Sequence, residues 1–193
     1  MHQSLAGRSA EMLSAIHDRV SAAKLSEPGP GSDALEVILS AGVRAPDHGR
    51  LRPWRFIVIE RDGRERFANL LGLAMRKRDP AADDAALERE RAKALRAPVL
   101  VVVAAAVIWE HPKIPAIEQI LAVGAAVQNM ILASQALGFG TMWKTGALAY
   151  DPVVKEGLGL LPTDQIVAVL HLGTAEVSPA PRLPTLQGIV RYF

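Results

Sequence analysis

The sequence predicts an α+β fold in a single domain, and three observations carry that expectation. Segments with strand character and segments with helical character follow one another without regular βαβ alternation. Two runs dense in Val, residues 99–107 and QIVAVLHL over 165–172, have the make-up of buried strands. Between them, residues 117–137 form a long stretch that is apolar nearly all round. A chain of 193 residues, half of them apolar, suits one globular domain.

The elements follow in order. Met12, Leu13 and Ile16 fall on one helical face within residues 10–18. SEPGPG over 26–31 is a turn. Asp33 and Glu36 are spaced like a capping box for a helix that stops at Gly42. Residues 44–53 combine Pro, Gly and charge and form a loop. RFIVIE over 55–60 reads as a buried strand. Residues 63–78 and 83–96 read as helices, the second with alternating charges that suit a solvated face. After the loop 111–115 comes the helix 117–137, where Leu121, Val123, Ala125, Val127, Met130 and Leu132 leave little polar face. Such a helix has to be covered on most sides, by a subunit interface or by the core of a monomer. Gly138 and Gly140 end it, 141–145 is a short strand, and Asp151-Pro152 opens a short helix to Leu158. The tail from Ser178 carries three prolines, then residues 188–193 that suit an added edge strand.

Composition excludes several functions. The chain has no cysteine, so thiol catalysis, disulfides and Cys-ligated zinc are ruled out. The net charge is +2 and cations alternate with anions, which is not the footprint of a nucleic-acid binder. Residues 1–20 hold no apolar core of a signal peptide, and the longest unbroken apolar run, 99–109, is too short to cross a bilayer. A cytoplasmic protein is therefore expected. Gly-x-Gly-x-x-Gly, P-loop, His-Glu-x-x-His and Gly-x-Ser-x-Gly signatures are missing, and the five histidines lack metal-ligand spacing. Any difficult chemistry would then belong to a bound cofactor.

Three segments remain. Arg19-Val20-Ser21 places a forked cation and a hydroxyl where both can grip one phosphate, or else forms an ordinary surface turn. Arg44-Ala45-Pro46-Asp47-His48, followed by Pro53-Trp54-Arg55-Phe56, is a stiff loop that could deliver cation, imidazole and aromatic groups to a planar ligand, or pair its charges on the surface. Gly140-Thr141-Met142-Trp143-Lys144-Thr145-Gly146 lets backbone approach a ligand beside a cation and an indole, or packs a strand end.

In this order and spacing, the three segments resemble the nitroreductase family over nearly the whole chain, from about Met12 to Phe193. The resemblance implies a nitroreductase-like fold, with a central mixed or antiparallel sheet flanked by helices and the long helix at a homodimer interface. It implies FMN, with Arg19 and Ser21 on the phosphate and ribityl chain, Arg44 and His48 reaching it from the partner subunit, and Trp143, Lys144 and Thr145 along the ring. Residues Ala133, Ser134, Gln135, Ala136, Leu137 and Gly138 correspond to a stretch assigned to NAD(P) in similar proteins. Arg182 matches a basic position that grips the phosphate in larger relatives. Val20 departs from the Arg usual in the family, and Lys24, Arg182 or Arg191 would have to compensate. The implied activity is ping-pong hydride transfer from NAD(P)H to nitroaromatics, quinones or similar small acceptors, with Lys144 as the catalytic residue. Enone reduction, dehalogenation and flavin binding without turnover are the alternatives.

Overall fold

The computed structural model describes the chain from Leu5 onward, apart from Ser178 and residues 182–184. Helix α1 (Leu5–His17) leads through an extended segment into strand β1 (Lys24–Ser26). Then come α2 (Ser32–Gly42), β2 (Trp54–Glu60), α3 (Asp62–Arg78), α4 (Asp84–Arg91) and β3 (Val99–Ala105). Helix α5 (Ala116–Ala136), β4 (Gly140–Lys144), α6 (Pro152–Gly157) and β5 (Gln165–Val177) complete the set.

All strand pairs are antiparallel, in the order β1-β5-β3-β2, with β4 also paired to β5. Every residue of β3 is buried. Side chains alternate across a strand, so β3 feeds two cores at once. Leu100, Val102 and Ala104 pack with Phe67 and Leu71 of α3. Val99, Val101 and Val103 pack with Ile38 of α2 and with Val123, Val127 and Met130 of α5. Burial on both faces is why this strand reads as an unbroken apolar run, and each fully buried Val contributes about 1.5–3 kcal/mol.

The structure departs from the sequence expectations at several points. β2 lies at the sheet edge, paired only to β3, and within it only Ile59 is buried, so 55–60 is not a buried strand. Helix α2 begins after Gly31 with no side-chain cap, and the Asp33–Glu36 capping box is not formed. The expected helix 83–96 is α-helical only to Arg91 and tightens into a 3-10 turn over Ala92–Leu95. The expected edge strand at 188–193 does not form: residues 187–189 make a turn and the tail pairs with no strand of its own chain. An unpaired strand leaves its backbone polar groups without partners, so it has no independent stability. Asp151 does cap α6, accepting from the Val153 N–H at 2.9 Å, and its buried carboxylate also meets Arg78 Nη1 at 2.8 Å.

By length and composition α5 is, among the described residues, the one helix apolar enough to cross a membrane. One side packs on the sheet, and its buried Gln119 side chain bonds Ile108 N–H, Ile108 O and Ile114 O, fixing the loop before it. On the other side Ile117 and Leu121 are 58% and 63% exposed. Gly138, at φ +83°, closes the helix, donating its N–H to Gln135 O at 2.9 Å.

Candidate active site

Strand β4 ends at Lys144, and Thr145-Gly146 turns the chain away from the sheet. Gly146 sits at φ +81°, ψ −169°, a conformation essentially confined to glycine. A Cβ built there meets nothing within 4 Å, so the backbone faces open space. Beside it is a recess of about 200 Å³, floored by Phe67, Leu71 and Leu100 and rimmed by Lys144, Arg96 and His171. A second recess of about 190 Å³ shares those three rim residues and reaches Ala22 and Met142. A third, of about 330 Å³, shares Ala22 and runs past Val20 to Gln135 and Gly138. Shared walls join the three into one track from β4 to the end of α5.

The first and third sequence motifs therefore meet along this track. The Ala22 N–H donates to Thr141 O at 2.9 Å and pins the 19–22 segment against β4. Of the first motif only Val20 lines a recess; Arg19 is half-buried and Ser21 exposed beside it, and neither lines any of the three. Lys144 pairs across the sheet with Val169, on the α3 side. Strand alternation sends the neighbouring Trp143 to the opposite face, where its indole N–H donates to Val167 O at 3.1 Å. In the 133–138 stretch the roles divide. Ala133 packs on the α5 core, and the buried Ser134 donates to Met130 O at 2.7 Å. Gln135 and Gly138 line the third recess, while Ala136 and Leu137 are exposed. Arg182 lies outside the described residues.

The second motif lies elsewhere. Arg44 is exposed on the loop after α2, and His48 Nδ1 meets Glu118 Oε2 at 2.6 Å, in the first turn of α5. Gln135, on the track, lies in the last turn of the same helix. At 1.5 Å per residue the two ends are about 25 Å apart. Within one chain, none of the recesses around Lys144 includes Arg44 or His48.

Two residues of the track were missed from sequence. Arg96 belongs to the charge-alternating stretch that reads as a solvated face, and only the 3-10 turn before β3 aims it at Lys144. His171 was visible as the one ionisable residue inside QIVAVLHL. It is 6% exposed, with Nδ1 3.2 Å from Val169 O and Nε2 3.4 Å from Lys93 O. A neutral ring can donate to only one of these carbonyls. Burial lowers its pKa from the ordinary value, 6.5, and the charges of Lys144 and Arg96 act in the same direction against the two carbonyls. The unfolded chain then binds more protons in mild acid. The stability due to neutral His171 is complete above the unfolded value and is lost as pH falls through the folded one. The melting temperature should drop between about pH 7.5 and 5.5, and His171→Gln should remove part of that drop. A variant with an unaltered pH slope excludes His171 as its source.

Among the described residues, neither Lys144 nor Arg96 has a carboxylate within 4.0 Å, and no group of three or more His, Asp or Glu could hold a metal. Unpaired cations, open backbone and apolar floor suit a flat anionic ligand. The two recesses that hold Lys144 are each below the ~300–1,000 Å³ of usual small-molecule sites, so a ring of flavin size needs a further wall.

Comparison with known proteins gives the family and the fold. The Nitroreductase family model matches residues 17–174. The Escherichia coli (strain K12) protein named "Putative NAD(P)H nitroreductase YdjA" is 40% identical over 95% of this chain and 100% of its own length. A Haemophilus influenzae protein named "Putative NAD(P)H nitroreductase" is 34% identical over 85% of this chain and 88% of its own. Among solved structures, a nitroreductase-like family protein from Bacillus cereus superposes with TM-score 0.80 at 25% identity, covering 100% of this chain and 97% of that one. A nitroreductase from Desulfovibrio desulfuricans, solved in complex with FMN, gives 0.71 at 25% identity, covering 93% and 95%.

Proposed function

Since the chain belongs to the nitroreductase family, we propose that it is an FMN-dependent oxidoreductase that passes hydride from NAD(P)H to nitroaromatics, quinones or similar small conjugated acceptors by a ping-pong cycle. The observation that carries this reading is the pair of unpaired cations, Lys144 and Arg96, over an apolar floor beside the open backbone of Gly146. The relatives' names and the FMN in the Desulfovibrio neighbour support it.

Bound FMN would supply the two-electron redox chemistry between nicotinamide and acceptor. The chain supplies position and charge. Arg19 and Ser21 hold the phosphate end at one end of the track, and Lys144 places positive charge where negative charge builds on electron gain. Backbone N–H groups at Thr145 and Gly146 offer fixed donors. Gln135 and Gly138 line the approach for NAD(P)H. No side-chain acid–base pair is needed, in keeping with the two recesses around Lys144, which no carboxylate lines.

The working unit in this proposal is a homodimer. Met12, Leu13 and Ile16 on α1 and Ile117 and Leu121 on α5 are all exposed in the single chain. In that dimer Arg44 and His48 of one subunit reach the Lys144 track of the other; within one chain neither residue lines any of its recesses. The small acceptors, with neither nucleic acid nor membrane as partner, and a cytoplasmic location where NAD(P)H is available belong to the same proposal.

Freshly purified protein should be yellow, bleach on addition of NADH or NADPH and regain colour with a quinone. A colourless protein that takes up no added FMN refutes the cofactor. Flavin binding without turnover is favoured by one observation, Val20 where similar proteins carry Arg. A yellow protein that neither nucleotide bleaches would establish it.

A further inference from the structure

The charges around Lys144 give a role to a residue outside the three motifs. Arg96 follows the 3-10 turn Ala92–Leu95 and lines both recesses together with Lys144. No carboxylate lines either recess. Lys93, the remaining cation, is held by Glu90 at 2.5 Å and is spent. The histidine beneath them, His171, turns its ring nitrogens to backbone carbonyls and offers no counter-charge. Two cations with no partner thus stand over apolar walls, which concentrate their field in the recess. Lys144 alone would serve a ring that gains negative charge. A second unpaired cation lining the same two recesses, with a fork of donors, suits an anionic group as well as a ring.

We infer that Arg96 is a specificity residue: together with Lys144 it receives the carboxylate, phosphate or sulfonate group of a reactant that enters the recess. The inference rests on the redox reading of the site. The anion comes either from the acceptor or from the phosphates of NAD(P)H.

The test compares kcat/KM of the holoenzyme within two pairs. One is 4-nitrobenzoate against uncharged 4-nitrobenzamide. The other is NADH against reduced nicotinamide riboside, which has no phosphate. The wild type should favour the charged member of at least one pair. Arg96→Ala should reduce that ratio by about tenfold or more, and Arg96→Lys should restore part of it. Arg89→Ala, an exposed cation on α4 away from the recess, should leave it alone. A loss in the acceptor pair assigns the anion to the acceptor, and a loss in the nucleotide pair assigns it to the dinucleotide. A wild type without preference in either pair, or a ratio that Arg96→Ala does not change, overturns the inference while the redox function stands. If the flavin binds and no acceptor is reduced, the redox reading fails instead. Calorimetric titration with 4-nitrobenzoate then decides: binding weakened by Arg96→Ala sustains the anion site, and absent or equal binding removes it.

Discussion

Lys144→Ala should slow flavin reduction and acceptor turnover by about 10²–10³-fold, the usual cost of removing one fixed electrostatic stabiliser from an active site. The size of the effect follows from the surroundings. Lys144 has no carboxylate partner among the described residues, so its full charge is available to a ligand. It stands over Phe67, Leu71 and Leu100, where water is displaced once a ring binds and the local dielectric falls. The same exposure predicts little effect on folding. An exposed side chain without an ion pair changes stability by roughly 0.5 kcal/mol or less, so the melting temperature of the apo-protein should barely move. Lys144→Arg should recover part of the rate, because the charge returns with a different donor geometry. Stopped-flow bleaching of the flavin by NADH, followed by reoxidation with a quinone, separates the two half-reactions. Wild-type rates in both would remove Lys144 from the mechanism.

The second large effect is expected on assembly. Leu121→Asp should convert the proposed dimer to a monomer that does not retain FMN. Leu121 is 63% exposed on α5, and Ile117, one turn earlier, is 58% exposed. In a dimer that buries this face, a carboxylate at 121 would lose its hydration without a partner, at a cost of several kcal/mol. In the single chain the same carboxylate stays in water, so the fold should survive and the far-UV circular dichroism should match wild type. Leu121→Ala keeps the face apolar and should weaken association far less. Sedimentation velocity reports the assembly, and the ratio of visible to ultraviolet absorbance reports retained flavin. A Leu121→Asp protein that sediments as a dimer and stays yellow would falsify the placement of this face at the interface. A monomer that stays yellow would instead show that one chain completes the site without Arg44 and His48 of a second copy.

Much of the fold was legible because local chemistry is decisive at particular places. The Val run at 99–105 cannot be anything but buried on both faces. Asp151-Pro152 starts α6 through an acceptor and a preset φ that need nothing from elsewhere. Gly138 ends α5 because it takes the positive φ, +83°, that the turn after the helix requires. β2 was misjudged because RFIVIE has the composition of a central strand, and only its lack of a second neighbour makes it an edge. The tail at 188–193 was misjudged for a related reason: a strand needs a partner, and its own chain offers none. β1 is three residues long and owes its existence to β5, so no pattern within it could reveal it.

The site divides along the same line. Lys144 and Thr145, which line the first recess, were legible as motif members, since the residue types that approach a ring are few. By itself the sequence determined the buried Val run of β3, the Asp151 cap, the turn at Gly138 and the order of the motifs, because each depends on neighbours within a few residues. Tertiary structure alone decided that Arg96 and His171 join Lys144, that Trp143 faces the other way, and that His48 lines none of the recesses of its own chain. Those facts depend on which segments pack together after the chain has collapsed. Packing brings residues 96, 144 and 171 together through strand pairing and burial at long sequence separation, and neither leaves a local signature.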